Sequence, residues 1–158
     1  MFVKKIIEIL VAGIMAISLL GSGTEAEPVV REVPKLSGMG VELLVKEVTS
    51  AGLTLVIKQN GGAPIGELHT GSFYLLEQFV NGEWVLVPYA VATESEIAWT
   101  EEAWIIPMNG LVSREVNWEG LYGKLTKGKY RIGKEITDFR QPGDYEKEMH
   151  YAEFEVTQ

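Results

Sequence analysis

Apolar and polar residues alternate with a period of two along most of the chain beyond residue 40, the spacing of half-buried β-strands. Residues 41–48 (VELLVKEV) set Val41, Leu43 and Val45 against Glu42 and Lys46, with Leu44 as the exception. Residues 53–58 (LTLVIK) set Leu53, Leu55 and Ile57 against Thr54 and Lys58, and the short turn containing Gly52 predicts an antiparallel pair. Residues 59–71, with Gly61, Gly62, Pro64, Gly66 and Gly71, read as a loop crossing to another part of the fold. Residues 72–80 and 83–87 flank Asn81-Gly82, which accepts the positive φ angles of a tight hairpin, and Pro88 ends the second strand. Trp84 follows that turn on the same alternation as Leu86 and is expected in the core.

Residues 89–110 carry the weakest pattern. Glu94, Glu96, Glu101 and Glu102 bracket Ile97-Ala98-Trp99, and Trp104-Ile105-Ile106 runs into Pro107. Loop and short strand are expected there in preference to a helix over residues 94–103. Val112, Val116 and Trp118 then alternate in residues 111–118, with Trp118 expected in the core. A further strand starts at Tyr130 with Ile132 on the same face, a polar loop fills residues 140–148, and Ala152, Phe154 and Val156 alternate with Glu153 and Glu155 in the last strand. Gly128 stands two residues before Tyr130, the local pattern of a tyrosine corner, in which a Tyr opening a central strand hydrogen-bonds backbone upstream. Trp84 and Phe154 are the expected partners of Tyr130 and Ile132. This order predicts an all-β chain, an antiparallel two-sheet sandwich of about 7–9 strands.

The first 40 residues break the pattern. Lys4 and Lys5 precede an apolar run over residues 9–20, followed by Gly21, Ser22, Gly23, Thr24 and Ala26. Residues 1–26 read as a signal peptide, with Thr24-Glu25-Ala26 the preferred cleavage site and Gly21-Ser22-Gly23 the alternative. The other reading, an uncleaved anchor helix, meets an apolar run short of the roughly 20 residues that a span needs, limited further by Glu8. Residues 27–39, with Pro28, Pro34 and Gly38, form a tether or edge segment, and residues 40–158 the sandwich domain. A secreted or extracytoplasmic location follows, with membrane contact only through the N-terminal segment if it is retained.

Charge and cysteine usage narrow the partners. The 22 acids against 14 bases leave a net charge of -8, which favours solubility and disfavours nucleic acid, bound through clusters of Lys and Arg. The chain has no cysteine, so no disulfide staples the core and the usual lipid-anchoring residue is missing. That combination suits an exported bacterial protein.

Trp118, Leu121-Tyr122-Gly123, Gly128-Lys129-Tyr130-Arg131-Ile132, Asp138-Phe139-Arg140, Pro142-Gly143-Asp144-Tyr145 and Ala152-Glu153-Phe154 together resemble a bacterial immunoglobulin-like domain of exported, often lipid-anchored, proteins of mainly Gram-positive bacteria. The resemblance covers about residues 38–157. It implies an immunoglobulin-like fold without catalytic activity, and it carries over no ligand and no binding residue. Gly23 stands about where anchored members carry the lipid-bearing cysteine.

Little in the residues points to catalysis. There is no G-x-S-x-G elbow, and His69 and His150, expected at a surface or strand edge, have no triad or metal spacing. Asp138, Asp144, Glu146 and Glu148 gather around one loop but match no Ca²⁺ loop code, so no cofactor or metal is expected. Asp138, Arg140 and Asp144 can lock that loop through charge-assisted hydrogen bonds or, with Tyr145, form a recognition surface. Trp99 and Trp104, in an acidic and irregular segment, are candidates for exposure and binding. The expected function is a non-catalytic, exported module that binds an unknown protein of the cell envelope or recognises a ligand at the bacterial cell surface. The alternative is a glycan-binding sandwich that uses Trp99, Trp104 and Tyr145, and a hydrolase with a facing carboxylate pair is the remote third reading.

Overall fold

A computed structural model of the chain describes residues 38–90, 99 and 102–158. The signal and tether readings for residues 1–37, and most of the 94–103 segment, lie outside the described residues. Among the described residues no helix is long and apolar enough to cross a membrane.

The alternating runs near the start pair as β1 (Val41–Lys46) and β2 (Gly52–Gln59), antiparallel with Leu43 opposite Ile57. β7 (Leu111–Asn117) takes the other edge of β2 and completes a three-stranded sheet. The second sheet is built on β8 (Gly128–Gln141). One edge of β8 is paired along its whole length by β9 (Asp144–Val156). Its other edge is shared by β4 (Leu75–Val80), opposite residues 130–133, and β3 (Glu67–Thr70), opposite residues 137–139. β5 (Glu83–Leu86) lies outside β4, with Asn81 at φ 53 turning the hairpin, and β6 (Trp104–Ile105) lies outside β3. A single helical turn, α1 (Glu119–Tyr122), links β7 to the approach to β8.

Alternation decides which residues meet inside. Tyr130, Ile132 and Ile136 of β8, Leu76 of β4 and Ala152, Phe154 and Val156 of β9 form one buried cluster with Leu43, Leu53, Leu55, Ile57 and Val116 of the three-stranded sheet. Trp118 is 0% exposed, stacks on Phe154 at 5.6 Å and donates its Nε1–H to Ser50 O at 2.8 Å. Tyr130, the cross-strand partner of Phe154, stacks on it at 5.8 Å, and its Oη donates to Thr126 O at 2.9 Å. The hydroxyl thus closes the corner that leads into β8. Tyr130→Phe is expected to lower stability by about 1–2 kcal/mol, because it leaves a part-buried carbonyl without its donor. A urea midpoint unchanged from the parent would show that water replaces this bond at no cost.

The sequence reading is corrected in four places. The 59–71 loop contains β3, and the polar 140–148 loop is the end of one long hairpin, since β8 runs to Gln141 and β9 starts at Asp144. Pro142 and Gly143, the latter at φ 82, make the turn. Trp84 is not in the core: it is half-buried beside Phe79, and Trp118 holds the central aromatic position. His150 is buried on the inner face of β9, away from the surface or strand edge expected for it.

Gln59, the last residue of β2, is fully buried and was unremarkable in sequence. Its Nε2 donates to Met39 O at 3.2 Å and Gly61 O at 2.7 Å, and its Oε1 accepts from Asn109 N at 2.5 Å. One amide therefore ties the start of β1, the crossing loop and the turn before β7, and no polar atom of its side chain is wasted.

Candidate functional site

The residues singled out in sequence do not converge. Asp138 faces inward, 3% exposed, and accepts Ile65 N–H at 2.9 Å and Gly66 N–H at 2.6 Å. Arg140 Nε donates to Asp144 Oδ1 at 2.7 Å, and its guanidinium also lies 3.7 Å from Asp138 and 3.8 Å from Glu146. The hydrogen bond to Asp144 and the surrounding carboxylates hold the guanidinium pKa above its ordinary value. This cation sits among the acids that the sequence offered to Ca²⁺, and the group works as an ion-pair knot across the hairpin arm. Tyr145 is exposed on that arm, with Lys147 Nζ 5.8 Å from its ring centroid.

Neither candidate Trp is a free platform. Trp99 packs edge-on against Phe73 at 5.3 Å and Tyr74 at 5.4 Å, and it lies against the core. Tyr74 is one of a cluster of tyrosines with Tyr89 and Tyr122, and burial pushes its hydroxyl up to about 12. Trp104 is half-buried, with Arg114 at 5.2 Å and Lys134 at 4.9 Å from its ring centroid. A hollow of about 270 Å³ lined by His69, Phe73, Glu102, Glu135 and Thr137 opens near β3 and β6. Two of its groups are already engaged: Glu135 pairs with Lys147 at 2.7 Å, and His69 with Glu67 at 2.5 Å.

What the chain does bring together lies on the outer face of the larger sheet. Residues alternating with the core positions put Glu77 and Phe79 of β4, Trp84 and Leu86 of β5, Lys129 and Arg131 of β8, and Tyr151 and Glu153 of β9 on that face. The Arg131 guanidinium lies between two rings, 4.7 Å from Trp84 and 4.1 Å from Tyr151. Glu77 fixes it from the neighbouring strand, accepting from Nε at 2.5 Å. Lys129 pairs with Glu153 at 2.7 Å while its Nζ lies 5.3 Å from Phe79 and 5.5 Å from Trp84. Gly133 makes room for this packing, since a Cβ there would lie 2.8 Å from both Leu75 and Tyr151. Phe79, Leu86 and Tyr151 remain exposed. The result is a strip of aromatic rings interleaved with cations, each charge held by a neighbouring acid.

Sequence reasoning missed Phe79, Arg131 and Tyr151 because each sits singly in its strand, and only the register aligns them. One signal was there. In a two-residue hairpin Phe79 must stand opposite Trp84, so both share whichever face Leu76 does not.

No curated protein and no solved structure matches the chain. The family model described as Bacterial Ig-like domain matches residues 36–155, which takes in both sheets and the tyrosine corner. The chain belongs to the family of bacterial Ig-like domains.

Proposed function

We propose that this chain is a non-catalytic, exported module of the bacterial cell surface that binds a protein partner through the outer face of its six-stranded sheet. The observation that carries the reading is Arg131, clamped by Glu77 and stacked between Trp84 and Tyr151. Trp, Tyr and Arg are the residue types that dominate protein interface hot spots. Here the three are preorganised on strands, so little side-chain freedom is left to lose on binding. The family supports a non-catalytic module over an enzyme. The export part of the reading rests on the residue 1–26 pattern, and mass spectrometry of the N-terminus of the exported protein tests it.

The glycan reading called for exposed Trp99, Trp104 and Tyr145. Two of these are packed against the domain and the third stands on the hairpin arm, so no shared stacking surface supports it.

Trp84→Ala tests the site. It is expected to cost only about 1 kcal/mol of stability, because the ring is half-buried outside the core. It is also expected to abolish capture of the cell-envelope protein that the parent chain retains, whereas Tyr145→Ala keeps it. Equal capture by parent and Trp84→Ala would reject the outer face as the docking surface. A midpoint loss as large as that of a core Trp would reject the placement of the ring.

A further inference from the structure

Five strands lie at sheet edges among the described residues, and they are not guarded alike. β1 carries Glu42 and Lys46, β7 carries Arg114 and Glu115, and β6 is only two residues long. The 13-residue β9 carries Asp144, Glu146, Glu148, Glu153 and Glu155. Charge and shortness are the usual devices that keep an edge from pairing with another chain. β5 is short too, at four residues, but its one charge is Glu83 at the start, and Trp84, Val85 and Leu86 follow.

The hydrogen-bonding phase of β5 is fixed by its hairpin. Asn81 and Gly82, at φ 53 and 92, form a two-residue turn, so Val80 and Glu83 exchange backbone bonds, as do Gln78 and Val85 two steps on. Val87 N–H donates to Leu76 O at 2.9 Å, in the same phase. The N–H and C=O groups of Trp84 and Leu86 therefore point away from β4, and no described residue pairs with them. Apolar surface borders this open edge. Val85, on the parity of the core, is 49% exposed, and Leu86, on the outer face, is 62% exposed.

We infer that β5 pairs antiparallel with β5 of a second copy of the chain, about a two-fold axis at Val85, joining the two larger sheets edge to edge. Three two-fold registers set outward-pointing groups of β5 against each other. Centred on Trp84, the ladder sets Leu86 against Gly82, which lies in the turn. Centred on Leu86, it sets Trp84 against Pro88, which has no N–H to give. Centred on Val85, Trp84 of each copy meets Leu86 of the other, and every outward N–H and C=O of the strand is used. Charge favours the same register. Copies with a net charge of -8 meet at least cost where acids are absent, and here each Glu83 faces Val87. The two Glu83 residues stand about 13 Å apart along the strands, beyond the screening length of about 8 Å at physiological salt. The two exposed Val85 side chains lie directly opposite and cover each other. The outer faces run on as one surface, and the Arg131 cluster stays open. The pairing rests on the backbone of β5 and does not depend on the docking proposed above.

Sedimentation equilibrium of the full chain over a wide concentration range, as parent, Val85→Lys and Val85→Glu, tests the pairing. The parent is expected to show a monomer–dimer equilibrium. Each variant alone is expected to dimerise at least about tenfold more weakly, because the axis sets like charges directly opposite each other. An equimolar mixture of the two is expected to dimerise again, since the same axis then sets Lys against Glu. A parent that stays monomeric, variants that associate as the parent does, or a mixture no more associated than its components would each overturn the inference. Val85 is half-exposed, so both variants are expected to keep the parent's circular dichroism spectrum. Should either fail to fold, amide hydrogen exchange in the parent decides. The Trp84 and Leu86 amides are expected to gain protection as concentration rises, while the Val85 amide, bonded within the hairpin, is protected throughout. Exchange at Trp84 and Leu86 that is independent of concentration would overturn the pairing.

Discussion

Trp118→Ala is expected to destabilise the chain by about 3–5 kcal/mol, the range for removing a fully buried aromatic side chain from a close-packed core. The ring sits where three parts of the chain meet. It directly follows β7, stacks on Phe154 of β9 across the sandwich, and reaches Ser50 in the turn that joins β1 to β2. Its loss removes apolar contact on both sheets and takes one of two donors from Ser50 O, leaving Leu125 N–H. The turn is held by little else from this side: Trp118 N–H donates to Ala51 O and Leu125 N–H to Ser50 O. Trp118→Phe separates the two contributions, since it keeps a stacked ring but loses Nε1–H, and it is expected to cost about 1–2 kcal/mol for the hydrogen bond beyond the lost ring area. Urea denaturation followed by circular dichroism measures both. If Trp118→Ala fell no further than Trp84→Ala, the core would not be centred on this ring.

That contrast between two tryptophans shows where the chain was legible. β1 and β2 alternate, with Leu44 and Val56 as exceptions, and Tyr130, with Gly128 before it and Ile132 after it, marked the start of the central strand. In residues 72–80, SFYLLEQFV carries apolar residues on both parities, so nothing local says whether Leu76 or Phe79 points inward. The answer comes from β8: Ile132 is opposite Leu76, which puts Phe79 and then Trp84 outside. The hairpin arm over residues 138–148 failed for a different reason. Its strands run past the packed layer, both faces meet solvent towards the tip, and the alternation that identifies a strand is lost. β3 was hidden by its length, four residues set among glycines and a proline. The buried Gln59, Lys134 and His150 break the binary pattern outright. Each is tolerated inside because backbone groups from distant segments meet it, and that information is tertiary.

Asp138→Ala is the second large loss, expected at roughly 3–5 kcal/mol, since hydrogen bonds to a charged acceptor contribute about 1.5–3 kcal/mol each. The carboxylate accepts Ile65 N–H with one oxygen and Gly66 N–H with the other. The crossing loop is pressed onto β8 at this point: a Cβ on Gly66 would lie 2.2 Å from Phe139 O. Truncation takes the acceptor from both part-buried backbone donors, and it also removes the acid that faces Arg140 from the interior. Asp138→Asn makes the assignment specific. Its amide keeps one acceptor oxygen but turns an NH₂ towards the second backbone N–H, so one bond survives and a donor meets a donor. It is therefore expected to recover less than half of the loss, with hydrogen exchange at residues 65–66 faster than in the parent. Arg140→Ala, which spares both backbone bonds, is expected to cost clearly less than Asp138→Ala. Equal losses would mean that the ion-pair knot, and not the clasp on the crossing loop, is what Asp138 supplies. The acid that looked in sequence like part of a recognition loop then has a structural task, and the docking surface proposed above lies on the opposite face of the same strand, where Arg131 stands between Trp84 and Tyr151.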